Sequence, residues 1–179
     1  TSMASLTVNY NQKNNLDDFI RGIITLFNQG KFKNVILNIN NYLAKNPPSH
    51  QLFNILGITY IKLNNNKLAC DCYNRAISIE PNFHVSYFNL GSLYHEQKFY
   101  NKAIENYNKA IKFNPDYINA QFNLAIALKE NGEIRKSINT YKSILKKDNT
   151  HIDTHYNLSL IFKEINRFSL AIFHFKKVL

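Results

Sequence analysis

Apolar positions recur along this chain at the 3.6-residue spacing of amphipathic helices, in blocks that come in pairs. A short polar interruption separates the two blocks of a pair, as at Asn64-Asn65-Asn66 and Asn131-Gly132. Each pair is therefore predicted to be a helix, a tight turn and a second helix. Only five Gly and four Pro are present, too little turn chemistry for a sandwich or a barrel. The predicted class is all-α.

The pairs repeat with a fixed period. Pro47, Pro81 and Pro115 are spaced 34 and 34 apart, and counting outward gives windows 16–49, 50–83, 84–117, 118–151 and a shortened 152–179, preceded by 1–15. The third window reads Tyr87, Leu90-Gly91, Tyr94, Ala103, Tyr107, Ala110 and Pro115. At the same offsets the seventh position holds Leu56, Leu90, Leu124 and Leu158, and the eighth holds Gly57, Gly91, Ala125 and Ser159. The eleventh holds Tyr60, Tyr94, Leu128 and Phe162; the twentieth holds Ala69, Ala103, Ser137 and Ala171; the twenty-fourth holds Tyr73, Tyr107, Tyr141 and Phe175. Small residues at positions eight and twenty let the two helices of a pair approach closely, while the large rings and Leu fill the space around that contact. A proline near the end of the window stops the second helix.

This register resembles the tetratricopeptide repeat, W-x2-L-G-x2-Y, then A-x3-F, then P, with Tyr87 where the family carries Trp. The resemblance covers 16–179 and implies a right-handed superhelical solenoid of stacked hairpins, since one hairpin cannot bury its apolar face alone. The first window departs from the pattern: Gly22 and Ile23 take positions seven and eight, and Val35 and Tyr42 take the two Ala positions, so altered packing is expected there. The fourth window has Asn149 in place of proline, which predicts a looser boundary.

The resemblance also implies that the first helix of each hairpin lines a concave groove. Position six then places Asn89, Asn123 and Asn157 in register, and a primary amide carries both a donor and an acceptor for the backbone of an extended peptide. The row is similar to the asparagine ladder in the repeat array of O-linked N-acetylglucosamine transferase. Position five adds Phe88, Phe122 and Tyr156, and position nine adds Ser92 and Ile126, an apolar and aromatic strip beside the amides. The expected function is a protein-interaction scaffold that holds an extended or helical peptide segment of a partner. The alternative is a substrate-recognition module cut from a larger enzyme such as a glycosyltransferase or sulfotransferase, because the chain stops inside the fifth hairpin at Leu179. The clamps that grip the carboxylate end of heat-shock chaperones need Lys or Arg at positions two and five. Here those positions hold Asp17, Gln51, Val85, Asn119 and Asp153, and Ile20, Asn54, Phe88, Phe122 and Tyr156, which excludes that ligand.

Charge and candidate chemistry change this picture little. The net charge of +10 accompanies a chain rich in Asn, Ile, Lys, Tyr and Phe, all with AT-rich codons, and the lysines are spread rather than bunched. The charge therefore reads as coding bias, and neither nucleic acid nor membrane is an expected partner. The second helices carry Lys109, Lys112, Lys142, Lys146, Lys176 and Lys177 without the interleaved rings that single strands favour. Cys70 and Cys72, two apart on a helix, point to different faces and read as reduced and structural, in keeping with a cytoplasmic location. His151 and His155 share a helix face, but two ligands leave a metal site incomplete. Glu96, Glu130 and Glu164 recur at position thirteen and read as a solvated edge. No phosphate loop, nucleophile elbow or zinc-protease motif is present, so no catalysis, small-molecule substrate, metal or cofactor is expected. Residues 1–5 read as a cloning remnant leading into an N-terminal linker. The apolar Ile172, Phe175, Val178 and Leu179 are expected to favour self-association.

Overall fold

A computed structural model describes residues 2–179, with side chains from Asn15 onward. It contains α1 (Ser2–Asn28), α2 (Phe32–Leu43), α3 (His50–Lys62), α4 (Asn66–Ile79), α5 (His84–Glu96), α6 (Tyr100–Phe113), α7 (Ile118–Glu130), α8 (Ile134–Lys147), α9 (Ile152–Glu164) and α10 (Phe168–Phe175), with no strand among the described residues. The helices pair in sequence as five hairpins and fall into two compact units, Thr1–Pro81 and Asn82–Leu179.

The 34-residue period is written into the backbone as well as the side chains. Each hairpin turns at position fifteen of its window, where Gly30, Asn64, Lys98, Gly132 and Asn166 all have positive φ, between 56° and 82°. At every one of these turns the same two hydrogen bonds close the first helix. In the third hairpin Lys98 N–H donates to His95 O and Phe99 N–H donates to Tyr94 O, both at 2.9 Å. This is the Schellman arrangement, which satisfies carbonyls that a helix end otherwise leaves orphaned. Glycine adopts this conformation freely and asparagine tolerates it, whereas a lysine is strained there.

The close approach within each hairpin depends on the eighth position. A Cβ built on Gly91 would lie 2.8 Å from Cδ1 of Tyr107, and one on Gly57 would fall well inside the ring of Tyr73. Both rings are buried, so the first helix lies with its bare backbone against an aromatic face. In the fourth hairpin Ala125 takes the same place opposite the fully buried Tyr141, and Ser137 Oγ donates to Ala125 O at 2.7 Å to tie the two helices together. Ala69, Ala103 and Ser137 at position twenty are all fully buried.

The first hairpin packs differently, as its sequence requires. Ile23 and Val35, both at the close-approach positions, are buried, and Gly22 faces open space. These bulkier residues hold α1 and α2 farther apart than the helices of the later hairpins. Tyr42, at an Ala position, lies flat on Phe19 with ring centroids 4.2 Å apart. At the boundary after the fourth hairpin, where proline is missing, an acidic side chain makes the turn. Asp148 accepts from Thr150 N–H at 2.9 Å and from Thr150 Oγ1 at 2.6 Å, an Asx turn like the one Asn114 makes with Asp116 N–H before the next hairpin. Those bonds also hold the Asp148 carboxyl below its usual range.

Cys72 is buried and its thiol is pushed up to about 11, chiefly by burial and secondarily by Asp71, which makes it a poor nucleophile. Cys70 is partly exposed, and neither cysteine is in a disulfide. The helix α10 leaves Phe168, Ile172, Phe173 and Phe175 about half exposed. No helix among the described residues is long and apolar enough to cross a membrane.

Two stability changes follow from these turns and contacts. Gly57→Ala forces Tyr73 out of place and is expected to cost about 1–3 kcal/mol by chemical denaturation, the range for overpacking a filled core. Lys98→Gly removes side-chain strain at a positive-φ turn and is expected to raise stability by about 0.5–1 kcal/mol.

Candidate functional site

The residues expected to line a groove all belong to α5, α7 and α9, within the second unit. Phe88 and Phe122 are half-buried. The Phe88 ring lies 5.0 Å from Tyr117 and 5.9 Å from Tyr107, and the Phe122 ring lies 5.6 Å from Tyr141 and 5.7 Å from His151. Each ring therefore rests on its own hairpin and also against the lead-in to the next. Tyr156 is exposed. Ile126 is half-buried against the cluster built on Tyr141, Ile144 and Leu158.

The three amides are part-buried and do not stand in equal chemical surroundings. Asn157 Nδ2 donates to Asp153 O one turn back at 2.8 Å. Asn123 is hydrogen-bonded to the Tyr107 hydroxyl. That hydroxyl donates to Ser92 Oγ at 3.3 Å, and Ser92 Oγ donates in turn to Phe88 O at 3.1 Å. With its proton directed at Ser92, the phenol oxygen accepts from the Asn123 amide. One N–H of each of Asn123 and Asn157 is thus used inside the protein, which leaves each amide a second N–H and its carbonyl oxygen. Asn89 is part-buried at the equivalent place on α5.

Ser92, His95, Glu96, Tyr107, Asn123 and Ile126 surround a depression of about 240 Å³ between α5 and α7. Tyr107 forms its floor and is 1% exposed. Its phenol is pushed above the usual range, mainly by burial; the bonds from Ser92 and Asn123 oppose this, and the Glu96 and Glu130 carboxylates add to it. The fields of two carboxylates therefore converge on the floor. Sequence reasoning placed Tyr107 in the core and Glu96 at a solvated edge, where the structure also has them, without bringing the two to one depression.

Two of the three recurring glutamates at position thirteen, Glu130 and Glu164, join successive hairpins. Glu130 Oε2 lies 2.8 Å from His95 Nε2, and Glu164 Oε1 lies 2.6 Å from Lys129 Nζ. Each pair joins position twelve of one hairpin to position thirteen of the next, and the Tyr100 hydroxyl also bonds Glu130. Recurrence every 34 residues was the available signal. The one-residue offset of the partners was not visible without coordinates.

His151 and His155 serve different purposes. His151 Nδ1 caps α9 by accepting from Thr154 N–H at 3.3 Å. His155 is buried, with Nε2 3.0 Å from Asn149 O and Nδ1 2.8 Å from His174 Nδ1. A carbonyl only accepts, so Nε2 of His155 carries its proton and Nδ1 accepts from His174. Burial first, then His155 and Lys142, hold His174 below the usual imidazole range and keep it neutral. Among the described residues no three His, Cys, Asp or Glu side chains gather as a metal ion would require.

Comparison with known proteins agrees with this register. A family profile described as TPR repeat matches residues 57–98 and 91–132, and one described as Tetratricopeptide repeat matches 119–148. The matched stretch spans just over half the chain, and the chain belongs to the tetratricopeptide repeat family, whose members serve as protein-interaction scaffolds. Among solved structures it is similar to one described as a crystal structure of MamA, with a TM-score of 0.79, 21% identity and coverage of 86% of this chain and 90% of that one. It is also similar to MamA residues 41-end from Desulfovibrio magneticus RS-1, with a TM-score of 0.80, 16% identity and coverage of 90% and 92%. At these identities the likeness concerns the fold. No curated protein matches the chain in sequence.

The hydroxyls of Tyr107 and Tyr141 make a direct comparison. Tyr107 has Ser92 at position nine to accept its proton, whereas Tyr141 has Ile126 there and its buried hydroxyl finds no hydrogen-bond partner among the described residues. Tyr107→Phe is therefore expected to cost about 0.5–1.5 kcal/mol, while Tyr141→Phe is expected to be neutral or stabilising in the same denaturation assay.

Proposed function

We propose that the wall formed by α5, α7 and α9 holds a peptide segment of a protein partner in a concave groove. The observation that carries this reading is the row of Asn89, Asn123 and Asn157 at one position of three successive first helices, flanked by Phe88, Phe122 and Tyr156. With one donor of each of Asn123 and Asn157 engaged internally, the second N–H and the carbonyl oxygen pair with the backbone of an extended chain, and the rings supply apolar contact beside them.

The magnitudes set the expected strength. Three hydrogen bonds at about 0.5–1.5 kcal/mol each give only a few kcal/mol. Half-buried rings add several more before the cost of ordering the peptide is deducted, which places affinity in the micromolar range.

Replacing Asn89, Asn123 and Asn157 together with Ala is expected to weaken a partner captured by pull-down by about tenfold or more in calorimetry, with helicity kept and melting lowered by the lost internal bonds but still well above the assay temperature. Unaltered affinity would dismiss the amide row. Leu90→Ala serves as the contrasting control, since it opens a core cavity and is expected to cost about 2–5 kcal/mol of stability.

A further inference from the structure

The ion pairs that join successive hairpins follow one rule, and Glu96 is the exception to it. Position twelve provides the nitrogen, His95 Nε2 or Lys129 Nζ, and position thirteen of the next hairpin provides the carboxylate, Glu130 or Glu164. For Glu96 the corresponding residue of the preceding window is Ile61, which has no charge. Among the described residues Glu96 has no ion-pair partner, and it is exposed at the rim of the depression over Tyr107.

The rest of that depression is suited to a cation. Ser92 spends its proton on Phe88 O, the Tyr107 hydroxyl spends its proton on Ser92, and the Asn123 amide spends a donor on Tyr107. What remains toward the cavity is the carbonyl oxygen and second N–H of Asn123 and, at the rim, the Glu96 carboxylate as the charged acceptor. His95 is held by Glu130 on one side, so it does not neutralise Glu96. The volume of about 240 Å³ accommodates the end of a long side chain, and Ile126 provides an apolar surface for its methylenes.

We propose that this depression takes the lysine or arginine side chain of the bound partner, with Glu96 as its counter-charge and the Asn123 carbonyl oxygen as a neutral acceptor, a reading that rests on the first-helix wall being the binding face. A basic anchor residue in the partner is selected despite the net positive charge of the chain, because the contact with Glu96 is local.

The test is an NMR titration of the 15N-labelled chain at low salt with three probes: blocked Ala-Ala-Arg-Ala-Ala, blocked Ala-Ala-Gln-Ala-Ala, and N-acetyl-argininamide. The arginine peptide is expected to shift the amides of residues 92–96 and 123–126 and to bind about fivefold or more tightly than the glutamine peptide, a difference that Glu96→Gln removes. Glu96 is exposed, so an otherwise unchanged spectrum shows that the variant is folded. Equal shifts from the two peptides along 88–157 overturn the cation pocket while leaving the peptide wall standing. No response at 92–96 to any arginine probe also overturns it. A response there to N-acetyl-argininamide, with neither peptide bound, retains the pocket and discards the wall.

Discussion

The contact on which the rest of this structure depends is the approach of a first helix, stripped to its backbone at position eight, to an aromatic ring at position twenty-four of the second. At Gly57 and Gly91 there is no room for a single added carbon, because the rings of Tyr73 and Tyr107 already occupy it. That contact sets the separation of the two helices, and the small residue at position twenty keeps the same separation from the other side. Where the contact is replaced by Ile23 against Val35, the helices stand apart and Tyr42 covers Phe19 instead.

The same ring links packing to binding chemistry. Tyr107 is held against Gly91 by its face, while its hydroxyl passes between Ser92 and Asn123 to the base of a depression on the first-helix wall. A core residue thus presents a polar atom to the surface from a fixed position, with little freedom to lose when a ligand arrives. In the next hairpin Ile126 replaces the serine, and the hydroxyl of Tyr141 is stranded. Between hairpins the pairs His95–Glu130 and Lys129–Glu164 repeat one geometry and leave Glu96 as the acid without a counterpart in the described structure.

Much of the fold was legible in the chain because a period of 34 superimposes five independent copies of one signal. Proline spacing, the Gly and Ala pairs and the polar turns each mark the same register, and the positive-φ residues Gly30, Asn64, Lys98, Gly132 and Asn166 fall on it without exception. The site was legible only as positions. Side-chain spacing placed Asn89, Asn123 and Asn157 in a row, but which end of each amide is spent internally depends on rotamers. The offset that joins Glu130 to His95 is a property of how hairpins stack. The pairing of His155 with His174 crosses from α9 to α10 and had no periodic signature, since His174 has no counterpart in the other windows.

The central claim is that recognition belongs to the first helices. Photocrosslinking tests it most directly, with benzoylphenylalanine placed singly at Phe88, Phe122 and Tyr156 on that wall and at Lys109, Thr140 and Lys142 on the second helices, in the presence of a captured partner. The account predicts adducts from the first three positions and none from the others. Adducts arising mainly from Lys109, Thr140 or Lys142 would contradict it.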